Sequence, residues 1–105
     1  VASVGGKKAA QVMILVGAGN ESLPNKHWKD NLRFGVAFNS RLEKDHPGLC
    51  RVLLIRDSNY NMSLTKGSLL LEIGTCGNTL DEALYAAQLT GRSLAELLKA
   101  QESAS

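Results

Sequence analysis

Proline, cysteine and histidine each occur only twice, and aromatic residues make up 5% of the chain. The two cysteines, Cys50 and Cys76, have no CxxC spacing, so neither a zinc ribbon nor a disulfide framework is written here, and the compartment stays open on cysteine grounds. Two histidines, His27 and His46, are too few for a histidine-rich metal site unless carboxylates or cysteines fill in. No apolar run approaches the ~20 residues that a membrane helix needs, and neither a membrane segment nor a signal peptide is present in this chain. Charge of one sign is also missing. Lys plus Arg number 12 against 10 Asp plus Glu, for a net +2, and only Lys7 and Lys8 are adjacent, which gives no basic stripe for a nucleic acid.

What is present is a chain of 105 residues that is 44% hydrophobic, the profile of one ordinary soluble domain. It can bury roughly 60–65% of its unfolded surface, enough for a two-layer core. The run AAQVMILV at residues 9–16, closed by Gly17 and Gly19, reads as a strand buried on both faces. Between Lys26 and Asp45, Trp28, Leu32, Gly35, Val36, Asn39 and Leu42 recur at helical spacing, and His46-Pro47-Gly48 is a helix stop. Val52–Ile55 and Leu69–Ile73 read as two further strands. Thr79-Leu80-Asp81-Glu82 matches a capping box. A second helix follows, with Leu80, Ala83, Leu84, Ala87, Gly91, Leu94 and Leu98 as its apolar stripe, running to about Lys99. The order predicts an α/β fold, a sandwich with a short, mainly parallel sheet of about three strands and two main helices.

Glu72 breaks the pattern of its strand. A carboxylate near the C-terminal end of an apolar strand, where ligands gather in parallel sheets, is costly to bury and is a candidate general base; a sheet-edge or loop-capping role is the plain alternative. The segment Gly74-Thr75-Cys76-Gly77-Asn78 leads into the capped helix and offers N–H groups to an anion, but it lacks the spacing of a phosphate loop. Cys76 has no histidine placed near it and reads as a bystander thiol, as does Cys50. His27 and His46 bracket one helix, roughly 28 Å apart at 1.5 Å per residue, and cannot share a metal. The stretch RDSNYNMSLTKGS, residues 56–68, is rich in donors and acceptors: Arg56 suits a substrate carboxylate and Asn61 a peptide or sugar, with a surface contact and a turn as their ordinary alternatives.

Residues 46–98, HPGLCRVLLIRDSNYNMSLTKGSLLLEIGTCGNTLDEALYAAQLTGRSLAELL, resemble the C-terminal part of the stage II sporulation protein P family, peptidoglycan hydrolases related to zinc-dependent N-acetylmuramoyl-L-alanine amidases. The matches include Pro47-Gly48, Arg56-Asp57, Tyr60-Asn61, Gly67-Ser68-Leu69-Leu70, Glu72, Gly74 and the run Gly77 to Ala83; upstream, Lys7 to Met13 and Trp28 to Leu32 also look like the family. The resemblance implies that Glu72 is the catalytic glutamate, while Arg56, Asn61 and Asn78 stand as the candidate substrate contacts. It also implies cleavage of the amide joining the lactyl group of N-acetylmuramic acid to L-alanine during septum remodelling. Zn2+ serves the complete enzyme, its ligands lying in segments before Val1, so this chain alone is expected to bind none and to be inactive. The loop carries Met62-Ser63 where the family typically has Gln-His.

Residues 1–100 are then the C-terminal portion of an amidase catalytic domain and 101–105 a frayed tail. The full-length protein is expected to be extracytoplasmic and membrane-anchored, with peptidoglycan as substrate and a lytic transglycosylase of the same pathway as partner. The isolated chain, with a strand edge and an apolar helix face uncovered, is expected to self-associate. The alternative is a noncatalytic module that binds stem-peptide carboxylates through Arg56 and the loop around Asn61.

Overall fold

The computed structural model describes residues 1–22, 24–57 and 67–104. The chain order is β1 (Ala2–Val4), β2 (Lys7–Ala9), β3 (Val12–Gly17), α1 (Trp28–Asp45), β4 (Leu54–Arg56), β5 (Leu70–Ile73) and α2 (Leu80–Ala104). This is the small α/β fold that the pattern predicts, with both long helices and all three apolar strands in place.

The three-stranded sheet has the order β4-β3-β5, with the buried run at its centre. β3 pairs parallel to β4 through Leu15 with Leu54 and Gly17 with Arg56, and antiparallel to β5 through Met13 with Glu72 and Leu15 with Leu70. The sheet is therefore mixed, less parallel than the strand composition implies. Parallel pairing needs a long crossover, which α1 supplies between β3 and β4. The polar sequence between β4 and β5 has no apolar period from which to build a second one. One feature is absent from the sequence reading altogether: β1 and β2 form an antiparallel hairpin. Gly5 and Gly6 turn it with φ of 58° and 79°, the left-handed pair that a two-residue hairpin demands.

Val12 and Ile14, alternate residues of β3, point to the helices and join Phe38 and Leu42 of α1 with Ala86, Leu89 and Leu97 of α2 in one core cluster. Both helices lie on this side, and no described helix covers the other, the arrangement of an incomplete three-layer sandwich. Gly35 lets α1 approach closely: a Cβ there would stand 3.1 Å from Val16, 3.2 Å from Leu53 and 3.3 Å from Leu69. Asn31, fully buried on the same helix, accepts a hydrogen bond from the Ser68 amide at 3.1 Å and so ties α1 to the segment leading into β5.

The helix phases differ from the predicted stripes. On α1, Val36 is exposed while Asn31 and Phe38 are buried. On α2 the buried face is Ala86, Leu89, Thr90, Ser93 and Leu97, and the predicted stripe lies largely in solvent, Leu80 at 73% and Leu84 at 53% exposure. Two buried hydroxyls account for the error. Thr90 donates to the Ala86 carbonyl at 2.7 Å and Ser93 to the Asp45 carboxylate at 2.8 Å, so polar residues occupy the inner face without leaving an unmet donor. α2 also continues past Lys99 through Ala104.

Two outcomes follow from this packing. Gly35→Leu should destabilise the chain by about 2–3 kcal/mol in urea unfolding, because Val16, Leu53 and Leu69 leave no room for the new side chain. Asp45 is held below the ordinary aspartate range by the Ser93 hydroxyl and then by Arg41, and Glu82 below the glutamate range by the Thr79 amide and Asn78. Groups depressed in the folded state contribute stability above their unfolded pKa and lose it as pH falls through the folded value. Urea midpoints followed from about pH 5 to about pH 2 should therefore fall, and Ser93→Ala should shrink that fall by returning Asp45 toward its ordinary range.

Candidate functional site

The apolar strand β5 ends at Gly74, whose φ of 76° turns the chain out of the sheet. Only glycine fits: a Cβ would lie 2.8 Å from Asn78 Oδ1 and 3.0 Å from Ala10 Cβ. The Gly74 amide donates to the Gln11 carbonyl at 2.8 Å. Asn78 Oδ1 then accepts from the Thr75 amide at 2.8 Å, and the Thr75 hydroxyl accepts from the Gly77 amide at 3.3 Å.

The capping box forms as the sequence predicts. Thr79 Oγ1 accepts from the Glu82 amide at 3.1 Å, and Glu82 Oε1 accepts from the Thr79 amide at 3.0 Å and from Asn78 Nδ2 at 3.2 Å. A strand end, a tight loop and a helix start are thus locked together. Beside them lies a cleft of about 250 Å³, lined by Gln11, Met13, Arg51, Glu72, Thr75 and Asn78 among others.

Glu72 stands in this cleft on the sheet face opposite the helices, across from Met13. It is exposed rather than buried, and no hydrogen bond or ion pair engages its carboxylate among the described residues. Because β5 runs antiparallel to β3, its C-terminal end meets the N-terminal end of the central strand. The cleft therefore sits at the opposite edge from the one that parallel-sheet logic selects.

Of the other predicted contacts, Asn78 lines the same cleft, but its amide is committed to Thr75 and Glu82. Arg56 is absent from the cleft: it pairs with Gly17, four residues beyond Met13 along β3 and roughly 13 Å away at 3.3 Å per residue. Asn61 and Met62-Ser63 lie outside the described residues.

The arginine that does reach the cleft is Arg51, which sequence reasoning missed. Its amide donates to the Val12 carbonyl at 2.7 Å, one residue after the Val12–Cys50 bridge. From that bridge to the Leu15–Leu54 pair, β3 advances three residues and its neighbour four, so one residue is extra. The bulge separates Arg51 from the register of β4 and leaves it beside Met13, facing the same cleft as Glu72. Only the adjacency of a basic residue to a strand start could have flagged it, and that signal is faint.

No group of three His, Cys, Asp or Glu side chains converges among the described residues, and His27 and His46 sit at the two ends of α1. Cys76 is exposed in the loop. Cys50 is half-buried, and burial with the nearby Glu43 carboxylate pushes its thiol up to about 11, which leaves it a poor nucleophile at neutral pH.

The profile of the family described as stage II sporulation protein P matches residues 1–98. The stage II sporulation protein P of Bacillus subtilis (strain 168) is 30% identical over 101 residues, an alignment spanning 91% of this chain and 24% of that relative. The chain thus spans about a quarter of the length of the curated relative it matches. No solved structure matches it.

Gly74→Ala tests the geometry that holds the cleft. The left-handed backbone and the contact with Asn78 should together cost about 2–3 kcal/mol in thermal or urea unfolding. Gly77→Ala, whose Cβ would meet only Thr75 Oγ1 at 3.6 Å, should cost well under half as much.

Proposed function

Because this chain belongs to the stage II sporulation protein P family, we propose that it is part of a cell-wall hydrolase acting on peptidoglycan in sporulation, with Glu72 as the general base for cleavage of the N-acetylmuramoyl-L-alanine amide. The single observation that carries the reading is the position of Glu72. It is an unengaged, solvent-reaching carboxylate on an otherwise apolar strand, in a cleft whose rim is fixed by the Gly74–Glu82 hydrogen bonds.

In the proposed reaction Glu72 accepts a proton from a water as its oxygen adds to the scissile carbonyl. The resulting tetrahedral carbon expels the alanine nitrogen, and Glu72 returns the proton to that nitrogen as the C–N bond breaks, leaving a lactyl carboxylic acid and a free amine, which then exchange a proton to give carboxylate and ammonium. Arg51 fits the role assigned to Arg56 from sequence, since its guanidinium can take a stem-peptide carboxylate in two parallel hydrogen bonds. The described residues do not fit a catalytic zinc, so the reading assigns zinc ligation to other parts of the protein and derives no step from it. An extracytoplasmic, membrane-anchored parent acting with a lytic transglycosylase belongs to the same proposal. Among the described residues no helix is long and apolar enough to cross a membrane.

A binding module is the second reading, and the pairing of Arg51 with polar Gln11 and Asn78 in the cleft favours it over a surface without function. One experiment separates the two. In the full-length protein Glu72→Gln should lower release of free alanine amines from purified peptidoglycan by about 10²–10⁴-fold while sedimentation with peptidoglycan is retained. Turnover near that of the parent would overturn the catalytic assignment.

A further inference from the structure

α2 presents a second apolar face that the described elements leave largely open, with Leu84 beside Lys7 and Lys8 of β2 and Leu98 beside Phe34 of α1. Leu80, Leu84, Ala87, Gly91, Ala95 and Leu98 recur along one side of the 25-residue helix, and all six are exposed, the last at 49%. At 100° per residue they fall within about 80° of one another, a seam of the width that helix pairing uses. Leucines half exposed or more in such a line are not the scattered surface apolar residues of ordinary proteins.

Between Leu84 and Leu98 the sequence of the seam is palindromic in kind about Gly91. Set a second copy antiparallel, with Gly91 opposite Gly91, and Leu84 meets Leu98 while Ala87 meets Ala95, each twice. Charge follows the same symmetry. Asp81 and Lys99 lie on one flank of the seam at opposite ends, so antiparallel pairing brings each near the other's partner copy; parallel pairing would put the two charged flanks on opposite sides of the pair and leave both unmatched. Lys99 is at present 3.6 Å from Glu96 on its own helix, an exposed pair that contributes little and is readily exchanged. Gly91 has open space where a Cβ would stand, so nothing inside the molecule explains a helix-weakening glycine there. At a crossing point it permits close approach of two backbones.

We propose that α2 is a self-recognition surface, on which a second copy of this chain packs its own α2 antiparallel across Gly91. The inference is independent of the reaction proposed for Glu72, which lies in the cleft on the sheet face away from the helices. Two helices paired along this length bury an area at the low end of specific interfaces, so the dimer should be reversible, half-formed on the order of 10–100 µM.

Sedimentation equilibrium of the 105-residue chain should show monomer and dimer exchanging in that range. Asp81→Lys should weaken the dimer at least tenfold, and combining it with Lys99→Asp should restore it. In a Cys76→Ser background, Gly91→Cys should form a disulfide-linked dimer under mild oxidation, since Cys50 is half-buried with its thiol pushed up to about 11. Leu84→Cys alone should not, because its two copies would sit about 21 Å apart along the pair. Circular dichroism checks that each variant keeps its helix content. A chain monomeric to about 1 mM overturns the proposal. So does a dimer that Leu84→Cys cross-links to itself, or one indifferent to Gly91→Cys and to the charge swap.

Discussion

The structure depends on a junction of two backbone hydrogen bonds at residues 10 and 11. The Ala10 amide donates to the Glu82 carbonyl at 2.9 Å, and the Gln11 carbonyl accepts from the Gly74 amide at 2.8 Å. The first ties the start of the central strand to the first turn of α2; the second ties it to the end of β5. Ala10 is fully buried and sits 3.0 Å from where a Gly74 Cβ would be, so strand, turn and helix meet with no spare volume. Any side chain at Gly74, or loss of the capping box, would act on all three elements together.

That junction also explains why the cleft lies where it does. The helices take one face of the sheet, because Val12 and Ile14 must be covered. The other face offers Met13, flanked by Arg51 on one side and Glu72 on the other, and the locked turn of residues 74–79 forms the wall. Hydrogen bonds that preserve the fold thus fix the wall of the cleft without engaging the Glu72 carboxylate. Tyr85 extends the same logic outward: its hydroxyl donates to the Val4 carbonyl at 2.9 Å and its ring lies 4.6 Å beneath the Lys7 ammonium, which docks the β1–β2 hairpin on α2.

Elements with strong local causes were legible in the sequence. The apolar run of β3, the His46-Pro47-Gly48 stop and the Thr79–Glu82 box each act over a few residues, and each appears as read. Glu72 was legible as an outlier because a carboxylate interrupts leucine and isoleucine, and it lies in the cleft. What failed needed tertiary information. The inner face of α2 is set by Ser93 reaching Asp45 on another helix, a contact that hydrophobic spacing cannot register. The antiparallel return of β5 moved the cleft to the other end of β3 and left Arg56 behind, while a one-residue bulge brought Arg51 in. Asn78 lines the cleft as well, and its amide brackets the loop that forms the wall.

The central claim is that ligand chemistry takes place in the cleft between Arg51 and Glu72. Amide chemical shifts of the 105-residue chain, titrated with a soluble N-acetylmuramoyl dipeptide bearing a free carboxylate, test it directly. The account predicts saturable shifts concentrated at residues 11–13, 51 and 72–78, weakened by Arg51→Ala. Shifts centred on Arg56 and the opposite end of β3, or none at millimolar ligand, would contradict it.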